Sequence, residues 1–401
     1  MNRRTFLAAA AASVSSLASA ADPKEKVKII SSLPRTGSAK GQTDQIVNAI
    51  QMAIADFAKV VPFEVQYLDW DDATARTGTW DADKETDNAK NAIKDKDVMA
   101  VIGPYNSGAA RVSTPILNEA GLVQISPSAS YPGLTKAGPF SDPDEPQKYR
   151  PGKKITFCRV CPTDASQGPL SADFAAEELK VKSVYILDDK GLYGHGTAQG
   201  FKARCEELKI KVLKHESIGP TERDFTKLMK VIKEKSPDLV YFGGTTQSGA
   251  PQIAKGMKSE KVGCPLMVPE GCYEEAFIND AGADTFDTLK CFVTISGINP
   301  AHLKGRGAEF VKRFKQKYDK TPAPYAVYGY EAAAVVLEAL RVVGKKDREA
   351  IRKAVVGTKD FDKGLLGKWS FDADGDITLQ PLTIATIDKG RFKSVKVIGT
   401  K

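Results

Sequence analysis

An alternation of short apolar strands with amphipathic helices, running through the chain twice, most constrains what this sequence can fold into. The first strand is expected over 27–33, followed by a helix over about 43–58 with Ile46, Ile50, Ala53, Ile54 and Phe57 on one face. A strand at 63–70, a helix near 81–95 and strands at 98–102 and 122–125 complete the first run. A Pro/Gly-rich connection over 131–153 precedes the second. There, strands at 155–160, 183–187, 211–215, 238–243 and 266–268 alternate with helices near 170–179, 194–208, 224–235 and 249–258. A strand near 289–294, helices at about 308–317, 325–343 and 347–356, and strands around 368–371 and 382–388 close the chain. Such repetition implies parallel sheets covered by helices on both faces. Two runs imply two doubly wound α/β lobes, and 401 residues are too many for one ordinary core.

Chemistry concentrates where the first run ends, in VIGPYNSGAARVSTPILNEAGLVQISPSAS over 101–130. The strand at 98–102 stops at Gly103-Pro104, and a helix can start just past Asn106-Ser107-Gly108. The next strand runs into Ser126-Pro127-Ser128-Ala129-Ser130. In an open parallel sheet both turns fall at the carboxyl ends of strands, where ligand crevices form. A helix start presents unpaired N–H groups and the positive end of a dipole, and serine hydroxyls add donors without charge. The pattern suits half of a cradle for a small anion. Read without that role, Ser107 is an N-cap and 126–130 a polar loop.

The first twenty residues, MNRRTFLAAAAASVSSLASA, read as a leader of the twin-arginine type. Arg3-Arg4 precede Phe6-Leu7 and an alanine-rich apolar stretch, and Ala18-Ser19-Ala20 offers a small-residue cleavage site. No cysteine stands at that site to carry a lipid, and no later segment is apolar for long enough to span a bilayer. A soluble periplasmic protein is expected. The formal net charge of +8 is dispersed over helical faces, which argues against a nucleic-acid footprint. Cys158-x-x-Cys161 lies in an apolar strand with a proline after it, whereas a redox pair needs its first cysteine at a helix start. His195, His215 and His302 are scattered along the chain, so no zinc ligand set can be read, and no metal or cofactor is expected.

The usual catalytic and nucleotide signatures are missing. No G-x-G-x-x-G follows the first strand, no Walker lysine loop and no G-x-S-x-G elbow occurs, and GLYGHG at 191–196 has the wrong spacing for a dinucleotide turn. Asp372-Ala373-Asp374-Gly375-Asp376 lacks the length and terminal glutamate of a calcium loop and reads as a tight turn.

The residues do carry a family resemblance. VIGPYNSGA, ISPSAS, DASQGP (164–169), DDKGLYGHG (188–196), ERDFTKL (222–228), DLVYFGG (238–244), PEG (269–271) and PYAVYGYEAA (324–333) occur in order across the chain beyond the leader. Together they resemble the periplasmic substrate-binding proteins of the branched-chain amino acid and amide family. The resemblance implies a type I, Venus-flytrap architecture with three crossover strands near 156–160, 290–294 and 381–384. Lobe 1 would comprise 27–157 and 291–380, and lobe 2 158–290 and 381–401. By position, Ser107 and Ser130 would hold a ligand carboxylate, aided by backbone groups of Ser128 and Ala129. Tyr193 would pack on the ligand from lobe 2, where it is otherwise a core tyrosine. Glu270 would receive its ammonium, where it is otherwise a solvated loop glutamate.

Two positions depart from the family pattern. Lys40 stands in a shortened loop where some members carry an aromatic, and Thr245 replaces the tyrosine of branched-chain binders. Lys40 either faces the cleft, pairing with a second anionic group, or faces water. Both changes reduce apolar lining and favour a polar amino acid or small amide as much as leucine. The implied function is non-catalytic capture of such a ligand by a monomer and its delivery to the permease of an ATP-driven (ABC) importer. A ligand-sensing module for a signalling receptor is the alternative from another class. An exported α/β hydrolase using Ser107 or Ser130 lacks a histidine base in a suitable loop.

Overall fold

Five parallel strands form the first sheet, in the order β2-β1-β3-β4-β5. The computed structural model describes residues 24–138, 141–219 and 222–398, so the expected leader lies outside the described residues. The elements of this part are β1 (Lys26–Leu33), α1 (Lys40–Phe57), β2 (Glu64–Asp71), α2 (Ala82–Lys94), β3 (Val98–Ile102), α3 (Ser107–Glu119), β4 (Val123–Ser126) and β5 (Phe157–Arg159). β3 is buried along its whole length, as a strand covered on both faces must be.

The second sheet has seven strands, in the order β12-β11-β10-β9-β8-β6-β7. Its parallel part alternates α4 (Asp164–Glu177), β6 (Ser183–Asp188), α5 (Leu192–Glu207), β7 (Lys211–Ser217), α6 (Thr226–Lys235), β8 (Leu239–Gly243), α7 (Ala250–Ser259), β9 (Leu266–Val268) and α8 (Glu275–Ala281), reaching β10 (Cys291–Ser296). From β10 the chain returns to the first sheet for α9 (Arg306–Tyr318), α10 (Pro324–Val343) and α11 (Arg348–Val356). It then comes back as β11 (Leu382–Asp388) and β12 (Arg391–Ile398), which extend the second sheet in antiparallel fashion. This is the type I periplasmic-binding-protein architecture of two doubly wound lobes.

Helix α10 is the main buried element of the first lobe. It is apolar on nearly every face, and a helix of that kind must be enclosed. It packs along α1, whose Ile46, Ile50 and Ala53 are fully buried as the sequence pattern requires. Of its two acidic residues, Glu331 is fully buried and accepts from the Leu365 N–H at 2.6 Å and from the Trp369 indole N–H. Burial pushes that carboxyl up to about 7. The anchorage explains why 368–371 forms no laddered strand: the segment is held by the isolated bridges Phe361–Trp369 and Phe371–Ile377 and by Glu331. The stretch 372–376 is a turn, in which Asp372 Oδ1 accepts from the N–H groups of Asp374 and Asp376. β12, rich in lysine and half exposed, was not among the expected strands.

All six cysteines are buried free thiols. Burial raises Cys158 and Cys161 far above the range of a reactive thiolate. Among the described residues no helix is long and apolar enough to cross a membrane.

Candidate functional site

The two serine turns expected at the carboxyl edge of the first sheet are locked together. At the end of β3, Gly103 has φ +128°, and a Cβ there would meet the Ser32 carbonyl oxygen at 2.3 Å. Only glycine lets the chain turn so close to β1. Ser126 Oγ, at the end of β4, donates to the Pro104 carbonyl at 2.8 Å and accepts from the N–H groups of Ser128 (3.1 Å) and Ala129 (2.7 Å). Ser128 Oγ donates to the Tyr105 carbonyl at 2.9 Å. The amides of Ser128 and Ala129 are therefore occupied by Ser126, so these residues shape the turn and do not offer free donors. Ser107 opens α3, and its Oγ accepts from the Tyr131 N–H at 3.2 Å. Ser130 Oγ is buried with no hydrogen-bond partner.

Arg159 holds this turn from behind. It is fully buried on β5 and donates to the carbonyls of Ala129 (2.9 Å) and Tyr131 (2.7 Å), while its Nε meets Asp376 at 2.6 Å. β5 and the turn are thus tied together through Arg159.

From the second sheet, β9 ends in a short turn that places Glu270, only 1% exposed. Glu270 Oε2 accepts from the Ser296 N–H at 2.6 Å, while Oε1 is buried and unpartnered. Burial pushes this carboxyl up to about 7. Tyr193, in the first turn of α5, accepts at its hydroxyl from the Gly271 N–H at 3.1 Å. A Cβ on Gly271 would lie 2.8 Å from Thr245 Cγ2 and 3.1 Å from the Tyr193 ring, so Glu270, Tyr193 and Thr245 converge on one glycine. The Thr245 hydroxyl is used within its own turn, 3.1 Å from Ser248 Oγ, which leaves the methyl toward the wall.

Lys40 is not part of this group. Its ammonium is half exposed and pairs with both oxygens of Asp44, one helical turn on, at 2.6 and 2.9 Å. Of its two expected orientations, the structure places it in water.

Asp164 is the residue that sequence reasoning missed. It opens α4, is 3% exposed, and its N–H donates to the Ser130 carbonyl at 2.9 Å. Neither of its oxygens has a well-formed hydrogen bond; burial, with the charge of Glu270 added, holds its carboxyl well above the usual range, against the opposing pull of the nearby Ser130 hydroxyl. DASQGP marked the segment, and an acidic residue opening a helix just after a strand end was the available signal. Gln167, one turn on, donates to Ser296 Oγ at 3.2 Å. Tyr105 and Tyr325 meet edge to face, with ring centres 5.5 Å apart.

The result is one buried site between the sheets, where the Asp164 N–H meets the Ser130 carbonyl. At its rim Gln42 Nε2 donates to the Tyr273 carbonyl at 3.0 Å, and Thr79 Oγ1 donates to Gln247 Oε1 at 3.0 Å. Each bond joins the first-sheet half to the second. Inside, one hydroxyl and two carboxyl groups have buried oxygen atoms with no partner. Buried polar atoms are almost always paired, so several orphans in one place suit a partner that arrives from outside.

Comparison with known proteins agrees with this geometry. A Leu/Ile/Val-binding protein homologue of Brucella suis is 28% identical over 293 residues, 73% of this chain and 73% of that protein. The fold matches the leucine-binding protein LivK of Thermotoga maritima with a TM-score of 0.81 at 24% identity, over 93% of this chain and 99% of that one. It matches LivJ of Streptococcus pneumoniae, solved with isoleucine, with a TM-score of 0.80 at 22% identity, over 93% and 99%. These are substrate-binding proteins and not enzymes. The family profile described as periplasmic binding protein matches residues 26–391, and the chain belongs to that family.

Proposed function

We propose that this protein captures a small zwitterionic or amide-like solute outside the cytoplasm and delivers it to the permease of an ABC importer. The observation that carries this reading is the set of buried oxygens without a well-formed hydrogen bond: Ser130 Oγ and the adjoining Asp164 carboxyl, with Glu270 Oε1 from the turn after β9. The start of α3 with Ser107 and Ser130 suits a carboxylate. The two carboxyls suit an ammonium or amide N–H, and a buried ion pair of this kind is favourable only when both charges are matched. Relatives named for binding leucine, isoleucine and valine support an amino acid as the ligand. Thr245 in place of a larger side chain favours a polar amino acid or small amide as much as an aliphatic one. The leader-like segment supports export to the periplasm by the twin-arginine route, and a monomer suffices for capture.

The lobes are taken to divide at the three crossovers, with 27–157 and 291–380 in one and 158–290 and 381 onward in the other. Because β10 pairs with β9 and β11, the middle switch is better placed at the far end of that strand. Ligand would favour the closed arrangement by binding it better than the open one.

A thermal-shift panel tests this on protein freed of ligand by unfolding and refolding. It would contain amino acids, short amides and urea-like compounds, with a Glu270→Ala variant alongside. Ligand at a hundred times its dissociation constant stabilises by about 2.7 kcal/mol, a shift of a few degrees for a chain of this size. Hits among α-amino acids that vanish in the variant are expected. Hits only among compounds without an amine or amide nitrogen, unchanged in the variant, would remove Glu270 from the site.

A further inference from the structure

Two of the three histidines that are scattered in sequence meet at one carboxylate, Asp188, which takes no part in the candidate site. We infer that Asp188, His195 and His215 form a site for a divalent transition metal of the zinc class, completed by water. Asp188 ends β6 and is fully buried; His215 lies on the neighbouring strand β7, and His195 on the first turns of α5. The β6–β7 register sets Ile186 opposite His215 and Asp188 opposite Ser217, so the ring of His215 reaches diagonally to the carboxylate. His215 Nε2 stands 2.7 Å and His195 Nδ1 3.1 Å from the same oxygen, Asp188 Oδ2. One ligand atom from each residue falls within 4.8 Å of the other two.

Four features separate this arrangement from an ordinary hydrogen-bonded cluster. First, the donor set of two imidazoles and one carboxylate is that of a three-ligand zinc site with an open position. Second, the spacing is within reach of a metal by side-chain adjustment: bonds of about 2.0–2.1 Å in tetrahedral array put donor atoms roughly 3.3 Å apart, against 2.7 and 3.1 Å to Asp188 Oδ2 and at most 4.8 Å between the two imidazoles. Third, the supporting contacts are in place. Asp188 Oδ1 accepts from the Lys190 N–H at 2.8 Å, which aims Oδ2 at the rings, and Gln199 stands 3.2 Å from His195 Nε2. Fourth, exposure is graded, from 0% for Asp188 through 11% for His215 to 48% for His195, so one side stays open for entry and for water.

Binding requires no covalent change. Against a carboxylate oxygen a ring nitrogen can only donate, so an N–H points at Oδ2; on metallation the ring keeps one proton, on its other nitrogen, and the freed lone pair takes the metal. On His195 the new Nε2–H faces Gln199, whose amide turns to present its oxygen. Glu216 and Lys214 pair with each other on the opposite face of β7 and do not compete. Since Tyr193 precedes His195 by less than one helical turn, a bound metal would also stiffen the turn that carries Tyr193 to Gly271.

The test is titration of tag-free, chelator-treated protein with Co2+, whose visible absorption reports tetrahedral nitrogen and oxygen ligation, followed by displacement with Zn2+. One equivalent should bind. His195→Ala should weaken binding roughly tenfold or more, the His195→Ala/His215→Ala double variant should abolish it, and His302→Ala should leave it unchanged. In wild-type protein Zn2+ should shield His195 and His215, but not His302, from imidazole-modifying reagent; this arm stands even if the double variant misfolds. No saturable absorption, absorption that survives the double variant, or shielding of His302 alone would overturn the assignment.

Discussion

Ligand binding should release protons, and the size of that linkage follows from Glu270. In the free protein its carboxyl is pushed up to about 7 by burial, so below neutrality it is mostly protonated and carries no charge for an ammonium. A cationic ligand must select the ionised fraction. At about pH 5.5, some 1.5 units lower, that fraction is roughly 3%, and apparent affinity should fall about 30-fold, or about 2 kcal/mol. Asp164 is held high for the same reason, so the slope can exceed one proton per ligand. The assay is titration calorimetry of an α-amino acid from the panel between about pH 5.5 and 8, in two buffers of different ionisation enthalpy. Glu270→Gln should weaken binding and lower the released-proton count by about one. An affinity that stays flat across this range in wild-type protein would refute the reasoning, because no other charge would then be answering the ligand's amine.

Three further outcomes follow from the same geometry. Arg159→Met removes the buried guanidinium from Asp376, leaving it only the half-exposed Lys136 ammonium at 3.4 Å and the Thr135 hydroxyl at 3.0 Å, and should cost up to about 3–5 kcal/mol by denaturant unfolding. Gly271→Ala must push Thr245 and Tyr193 apart and should reduce affinity at least tenfold, by about 1.4 kcal/mol or more, while changing the melting temperature little; this is checked by calorimetry and thermal melts together. Ligand-free protein should lose stability as pH rises from about 4.3 through 7. Glu270 and Glu331 both have folded values raised to about 7, so the native state binds the extra protons over that window, and thermal melts at stepped pH check the sign.

What could be read from the sequence was what depends on local pattern. The strand–helix alternation and both serine turns follow from apolar period, Gly103-Pro104 and the serine run. Positions that depend on which strands become neighbours were hidden. His195 and His215 are twenty residues apart in the chain and meet only because β6 and β7 pair. Arg159 looked like part of an ordinary strand, yet it reaches back to Ala129 and Tyr131 and across to Asp376, far away in sequence. Lys40 could not be resolved from its loop, because the deciding partner, Asp44, is visible only once α1 begins at Lys40 itself. At Ser128 and Ala129, where backbone groups were expected to help, a local feature hidden in the pattern takes the amides: Ser126 Oγ accepts from both.

The two rim contacts have a kinetic consequence. Gln42 to Tyr273 and Thr79 to Gln247 are neutral hydrogen bonds, each contributing only about 0.5–1.5 kcal/mol net. Such a latch holds for moments and then yields to thermal motion. An empty receptor would therefore blink open and shut without becoming trapped, and a loaded one would owe its residence time to the cargo itself. Release to a membrane partner would then require only that a few neutral bonds be exchanged for contacts with the partner's surface.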